Sequence, residues 1–281
     1  MKFWDNKKIK SLKSKHIRIQ KYWFHDDIFK SAFFDTASIL IPNAEDFIVT
    51  LIKKISPLIT DKKLMKERDL LIEEESAHSQ VHNRYNKMLE NEGYIVKHYE
   101  KSLERFQQFV HRHLSLKSQL AFCAGVEHMT ACMSVLAIDK GIIDKGIDER
   151  MRKVWLWHFL EEIDHRHVTF DIYRYMGGGY VRRILIMFLV MVVFTWYNIR
   201  IRTGLLHQGG HFAKLGVHVS GLKFLWGKNG FHRGLIHPMI FYFSPFFHPN
   251  KIQYKELSKH AVHRYRIEGE LISYFPNTRN T

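Results

Sequence analysis

Two short stretches of the sequence share one pattern, Glu75-Ser76-Ala77-His78 and Glu162-Ile163-Asp164-His165. Each has a glutamate followed three residues later by a histidine. Residues i and i+3 lie on the same face of an α-helix, so each stretch would direct a carboxylate and an imidazole toward one point. One such pair arises easily by chance in a chain with 19 histidines, whereas two pairs on suitable helices are a much stronger signal.

Working outward from these pairs, each is preceded along the chain by a helix that carries a further glutamate. Glu45 precedes the first pair by 30 residues, and Glu127 precedes the second by 35. The gap from Glu75 to Glu127 is longer, at 52 residues. This spacing indicates two antiparallel helix pairs joined by one crossover, with a third histidine, His158, one turn before Glu162.

The pattern predicts an all-α fold, a four-helix bundle whose four central helices project these side chains inward. Additional C-terminal helices are expected to pack on it. The seven predicted metal ligands are Glu45, Glu75, His78, Glu127, His158, Glu162 and His165. Burying such groups unpaired costs several kcal/mol each, which bound metal would offset. A network of Glu–His hydrogen bonds without metal is the structural alternative.

The donor types restrict the metal without selecting it. Carboxylates and imidazoles suit Fe(II), Mn(II) or Zn(II), and bridging carboxylates hold two ions about 3.5–4 Å apart. Small residues near Glu127 leave room for a cofactor or substrate, although they equally permit tight helix packing. The residues on this face are Leu120, Cys123, Ala124, Thr130, Ala131 and Ser134. The donors therefore indicate two metal ions, and Fe, Mn and Zn all fit them.

Capping residues and glycines place the helix boundaries. Asn43 is expected to start a helix that ends near Ile55, and Asp61 is expected to start the next, which ends at Gly93. Further helices are expected over 100–113, 115–140, 148–176 and 181–200. The predicted organisation is a basic segment over 1–37, the metal-binding bundle over 38–178 and a basic, aromatic-rich helical part over 179–281. A last amphipathic stretch is expected over 251–274.

The formal net charge of +15 is unevenly distributed, because no acid occurs between Ile172 and Lys255. Basic residues at both ends suit an anionic membrane surface, although a solvated basic surface gives the same composition. No Gly-rich phosphate loop or G-x-S-x-G motif occurs, which argues against the common nucleotide-binding and acyl-transfer sites. Nucleic acid is not the expected partner.

The compartment follows from cysteine content and apolar segments. Two cysteines cannot form a disulfide framework, and the basic N-terminus lacks the apolar core of a secretory signal. The longest apolar run, over 184–197, is shorter than the ~20 residues that span a bilayer. We expect a cytoplasmic protein, peripheral on the inner face of a membrane if it contacts one. A buried or membrane-dipping helix is expected at 184–197, with a true span as the lesser alternative.

Several motifs resemble those of a bacterial family labelled predicted metal-dependent hydrolases. The resemblance extends from about Ser38 to Pro249, with Ala44 in place of the usual Gly and Asn250 in place of an aromatic residue. The matching motifs are Ile41-Pro42-Asn43-Ala44-Glu45-Asp46-Phe47, Glu75-x-x-His78, Trp157-His158-x-x-Glu161-Glu162-x-Asp164-His165 and Ser244-Pro245-Phe246-Phe247-His248-Pro249. The family label implies hydrolysis by a metal-activated water.

The ligand pattern is also similar to that of the ferritin-like arylamine N-oxygenases, in which a third histidine joins the usual Glu4His2 set. This similarity implies a ferritin-like four-helix bundle that holds two iron ions, with Mn or Zn as alternatives. It also implies that the centre activates O2, with Glu75 and Glu162 as bridging, catalytic carboxylates. We therefore expect an oxidase or oxygenase that acts on an apolar or aromatic small molecule and takes electrons from a donor protein or molecule. The alternatives are a metal-dependent hydrolase and a non-catalytic helical protein bound to membrane or nucleic acid.

Overall fold

A computed structural model describes residues 21–143 and 147–251. The described residues fold entirely into helices and connections, with no β-strand, so the all-α prediction is confirmed. The predicted stretch over 251–274 and most of the basic N-terminal segment lie outside these residues. The helices are α1 Ile28–Ile55, α2 Lys62–Asn91, α3 Lys97–His113, α4 Leu116–Asp139, α5 Glu149–His165, α6 Val168–Tyr175, α7 Tyr180–Gln208, α8 Leu215–Trp226 and α9 Phe231–Tyr242.

Most helix ends lie where the local sequence predicts them. The side chain of Asp61 accepts a hydrogen bond from the backbone N–H of Leu64 at 2.8 Å and so caps α2. Asp148 caps α5 in the same way. Gly93 has φ +93°, a left-handed conformation that glycine adopts without steric cost and that ends α2.

The predicted start of the first helix is wrong. That helix begins at Ile28, capped by Asp27, and continues through Pro42. Proline inside a helix costs roughly 3 kcal/mol because it removes a backbone donor. Residues preceding it in α1, including Phe33 and Phe34, are fully buried in the core, and this burial outweighs the cost.

The fifth predicted helix is interrupted. Its expected course from Asp148 to Met176 is split into α5 and α6 by a turn at residues 166 and 167. In the C-terminal part, where the helical pattern is weak, α8 and α9 still form because their buried faces pack on the bundle.

Four helices surround the predicted ligands. α1 pairs with α2 and α4 pairs with α5, as expected from the short connections within each pair. α7 lies in the groove between α1 and α4, while α8 packs on α1 and α9 on α4. A ferritin-like bundle is compatible with this arrangement and stays a prediction, as does the division into three segments.

Among the described residues, α4 and α7 are long and apolar enough to cross a membrane by length and composition. The apolar window of α4 is 67% buried inside the protein, which identifies it as a core helix. The corresponding window of α7 is only 28% buried. The predicted cytoplasmic location is not tested by these facts.

Candidate metal centre

The predicted ligands converge at the centre of the bundle. One group contains Glu45, His78, His158 and Glu162, and a second contains Glu75, His78, Glu162 and His165. Within each group, one donor atom per residue lies within 4.8 Å of every other. The groups share two residues, so they form one continuous cluster.

Glu127, the seventh predicted ligand, contacts the cluster through His165. Its Oε2 lies 3.1 Å from His165 Nδ1, while His165 Nε2 lies 3.1 Å from Glu75 Oε1. All seven residues are therefore brought together by the fold. Their role as metal ligands stays a prediction.

Helix geometry explains the convergence. α5 contributes His158, Glu162 and His165, which are spaced i, i+4 and i+7 and so form one stripe along the helix. α2 contributes Glu75 and His78 at i and i+3. α1 and α4 each contribute one glutamate, which makes the cluster complete only after all four helices have packed.

The cluster is buried, and many of its polar atoms lack a hydrogen-bond partner. Each of the seven residues is at most 4% exposed. The atoms without a partner are Glu45 Oε1 and Oε2, Glu75 Oε1 and Oε2, His78 Nδ1, His158 Nδ1 and His165 Nε2. Buried polar groups in native proteins are almost always paired, so orphaned atoms on five side chains that face one another fit bound cations. Their N and O donors suit Fe(II), Mn(II) or Zn(II).

Burial and mutual repulsion shift the pKa values of the glutamates in the cluster. Burial raises the pKa of Glu45 and Glu75 well above the ordinary value, and neighbouring carboxylates raise it further. The same two causes raise the pKa of Glu162 to about 8. Without cations the cluster therefore retains protons at neutral pH, and a bound dication would release them.

The pKa values of the histidines shift in opposite directions. Burial lowers the pKa of His78 and His158 well below the ordinary value, which keeps both rings neutral and able to bind metal. Burial also acts to lower the pKa of His165, but the carboxylates of Glu127 and Glu162 more than offset it and raise the pKa to about 9.

A carboxylate outside the ligand set fixes the orientation of His78. His78 Nε2 lies 2.8 Å from Glu161 Oε2 and donates to it, while the other carboxylate oxygen accepts a 2.7 Å bond from Trp157 Nε1. This leaves Nδ1 of His78 facing Glu45 and Glu162, at 3.5 and 3.7 Å. A histidine held by a carboxylate in this way is typical of metal sites.

An apolar cavity of about 140 Å³ lies beside the cluster. His158 reaches its wall, as does Thr130, whose hydroxyl donates to Glu162. Of the six residues predicted to leave space, Cys123, Thr130 and Ser134 line the cavity, whereas Leu120, Ala124 and Ala131 do not. The other walls come mainly from aliphatic and aromatic side chains of α1, α3, α4 and α7, including Phe47, Phe106, Phe122, Val190, Val193 and Phe194.

Two further histidines, His82 and His248, are not in the cluster. His82 is fully buried, and its Nδ1 lies 3.0 Å from the hydroxyl of Ser38. His248 lies 2.9 Å from Asp171 Oδ1, away from the cluster. Each ring therefore has at least one nitrogen with a hydrogen-bond partner, Nδ1 in His82 and Nε2 in His248, while Nε2 of His82 has none.

Sequence reasoning missed a buried acid that lies outside the cluster. Asp35 on α1 accepts hydrogen bonds from Trp23 Nε1 at 3.0 Å and from Tyr85 OH at 2.6 Å. Burial raises its pKa to about 7. The available signal was an aspartate within the aromatic stretch that includes Phe33 and Phe34, a stretch that was assigned to the segment before the bundle.

A comparison with protein families finds one matching family model. The model is described as predicted metal-dependent hydrolase and matches residues 9–253. No curated protein and no solved structure matches the chain. The similarity to arylamine N-oxygenases thus has no support from these comparisons and stays a prediction.

Proposed function

This chain belongs to the family of predicted metal-dependent hydrolases, and we propose that its central cluster holds two divalent metal ions that act on an apolar small molecule. One observation carries the proposal. Buried donor atoms without hydrogen-bond partners face one another from three helices, α1, α2 and α5, directly beside an apolar cavity.

The two overlapping groups of side chains suggest how the ions would be held. Glu45 and His158 belong to one group, and Glu75 and His165 belong to the other. Glu162 belongs to both, which suits a bridging carboxylate. Glu127 would complete the site from α4, and Glu75 is proposed as the second bridging carboxylate.

We propose O2-dependent oxidation as the reaction, and what supports it is the set of carboxylate and imidazole donors beside an apolar cavity. Iron bound here would supply the reduction of O2, with electrons from a separate donor. The chain's own residues would do the rest. The aromatic and aliphatic cavity would bind an apolar substrate and exclude water, while Glu161 would hold the His78 ring in place.

Thr130 connects the cavity with the cluster. Its hydroxyl lies at the cavity wall and donates to Glu162. This contact orients the carboxylate at the point where substrate and metal centre would meet. The small volume, about 140 Å³, is close to that of an engineered cavity known to bind benzene and suits one aromatic ring or a short aliphatic chain.

Hydrolysis is the second candidate, and the family description favours it. A redox-inert ion such as Zn(II) would supply a water of lowered pKa. The substrate would then be an apolar ester or amide small enough for the cavity.

The test is metal analysis followed by a reaction with O2. Protein purified from iron-supplemented cells is analysed for metal, reduced without O2, and then exposed to O2 while the optical spectrum is recorded. The same protein loaded with Zn(II) or Mn(II) is assayed against aromatic esters and amides. The His165→Ala variant serves as the disrupted site, and Glu73→Gln, an exposed acid on the same helix as Glu75, serves as the matched control.

Two irons per chain and a transient absorption after O2, both lost in His165→Ala and retained in Glu73→Gln, are the expected results. Ester or amide cleavage with Zn(II) or Mn(II) and no response to O2 would replace oxidation with hydrolysis. Absence of stoichiometric metal from the folded wild-type protein under every loading condition would contradict both reactions.

A further inference from the structure

Helix α7 has two apolar faces that meet different surroundings. Its inner face packs on α1 and α4, and Val190, Val193 and Phe194 line the cavity. Its outer face contacts little of the described chain, although it is equally apolar. A helix on the surface of a water-soluble protein normally has polar residues on its outer face.

The exposed residues of α7 form a continuous stripe at helical spacing. The stripe consists of Val181, Leu185, Phe188, Val192, Trp196 and Ile199. At 1.5 Å per residue it extends about 27 Å. Trp196 is 63% exposed and Phe188 is 52% exposed, so these are large side chains presented to solvent.

The neighbouring helix α8 repeats the feature on a smaller scale. Its exposed apolar residues, again at helical spacing, are Leu215, Val219, Leu222 and Trp226. Both α7 and α8 pack by their other sides on α1. Their outer faces therefore lie on the outside of the helices that cover the bundle. The exposed apolar patches on these faces are larger than the scattered single apolar residues of an ordinary protein surface.

The charge of this layer identifies the chemistry of its partner. Between residues 172 and 251 the chain carries ten Lys and Arg side chains and no Asp or Glu. Arg182, Lys214, Lys223 and Lys228 are exposed near the ends of α7 and α8. A second copy of the chain would bring a second basic layer against this one, which is electrostatically unfavourable. An anionic surface is attracted by it.

We propose that the outer faces of α7 and α8 form a docking surface for an anionic lipid bilayer, with both helices lying in the plane of the interface. The apolar stripes would enter the boundary between headgroups and acyl chains, with Trp196 and Trp226 at the depth that tryptophan prefers. The surrounding lysines and arginines would contact lipid phosphates.

This orientation places the cavity next to the bilayer, since the opposite face of α7 forms part of the cavity wall. An apolar compound dissolved in the membrane would then be separated from the cavity by one helix. The docking surface itself does not depend on the metal centre or on any reaction there.

The experiment is co-sedimentation of the full chain with vesicles. One set contains phosphatidylcholine alone, and the other contains phosphatidylcholine mixed with phosphatidylglycerol. The test variant combines Phe188→Asp and Val192→Asp. The matched control combines Leu58→Asp and Leu70→Asp, which are 55% and 53% exposed on another part of the surface and add the same charge.

The wild type is expected to bind the anionic vesicles, and the test variant is expected to bind them at least about tenfold more weakly. The control should bind much more tightly than the test variant. The fluorescence difference between the wild type and Trp196→Phe should move to shorter wavelength when anionic vesicles are added. Circular dichroism and metal content establish that each variant is folded.

Three results would overturn the proposal. The first is failure of the folded wild type to bind anionic vesicles. The second is equal binding by the test variant and the control, which would assign any attraction to charge alone. The third is a wild-type dimer that becomes monomeric in the test variant without vesicle binding, which would make the surface an interface between copies.

Discussion

The bundle contains two buried acidic sites that differ in how their polar atoms are satisfied. At Asp35, one carboxylate accepts hydrogen bonds from Trp23 and Tyr85. At the central cluster, both carboxylate oxygens of Glu45 and of Glu75 lack any hydrogen-bond partner. Both sites are completely enclosed by helices, so burial alone does not distinguish them.

The difference separates a structural acid from a ligand site. A single carboxylate can be stabilised by two neutral donors from nearby side chains. Four carboxylates in one buried volume repel one another. Burial raises the pKa of Glu45 and Glu75 well above the ordinary value, and this repulsion raises it further. Such a cluster destabilises the fold unless cations or protons neutralise it. The orphaned atoms, rather than the presence of acids, indicate metal binding.

The largest expected effect is the loss of metal from the central cluster only. Glu75→Gln and His165→Ala should each abolish stoichiometric metal binding, because each removes a donor that no neighbour replaces. Asp35→Asn should retain the full metal content. Elemental analysis of the folded variants measures the metal content. Metal retained by His165→Ala would show that the two sites do not differ in metal binding.

The second largest expected effect is a pH dependence of the free energy of unfolding, and it arises from Asp35. Burial raises the pKa of Asp35 from 3.8 to about 7, so the folded state keeps a proton that the unfolded chain releases. The associated stability is fully present below pH 4 and is lost as pH rises through 7. At 1.36 kcal/mol per pKa unit, the loss amounts to about 4 kcal/mol.

Urea unfolding of chelator-treated wild type and Asp35→Asn, between pH 4 and 8, tests this sign. The free energy of unfolding of the variant should rise relative to that of the wild type as pH increases. The central cluster titrates in both proteins, so the difference between them isolates Asp35. A difference that stays constant with pH would contradict the prediction.

The smallest expected effect concerns Glu161, which acts on the metal centre through His78. Replacing it with Ala should weaken metal affinity by about 10- to 100-fold without abolishing binding, because His78 loses the carboxylate that fixes its ring. Glu161→Gln keeps an oxygen that accepts the Nε2–H and should lose less. Competition with a metal chelator measures both, with Glu73→Gln as control, and equal losses for Ala and Gln would exclude this positioning role.

Much of the central cluster could be predicted because its signal is local. The i, i+3 spacing of Glu75 and His78 fixes a shared helix face before any tertiary contact forms. Caps such as Asp61 and terminators such as Gly93 act within one turn of the chain, and the structure has helix ends at both.

Other predictions are wrong, and one buried site is missed, because these features depend on residues that are distant in sequence. Pro42 is a strong local stop signal, yet α1 runs through it because Phe33 and Phe34 pack into a core built from other helices. Asp35 was not recognised as a buried site because its partners Trp23 and Tyr85 are 12 and 50 residues away in sequence. The sequence pattern also does not distinguish which acid near Glu162 contacts His78.

The sequence by itself determined that this is an all-α chain with carboxylates and imidazoles aligned on helix faces, since backbone hydrogen bonding and helix periodicity act over a few residues. Only the tertiary structure decided that those faces meet, that the donor atoms lack other partners, and that an apolar cavity lies beside them. It also decided that one side of α7 is covered while the other is exposed. These properties depend on which side chains pack across helices far apart in the chain.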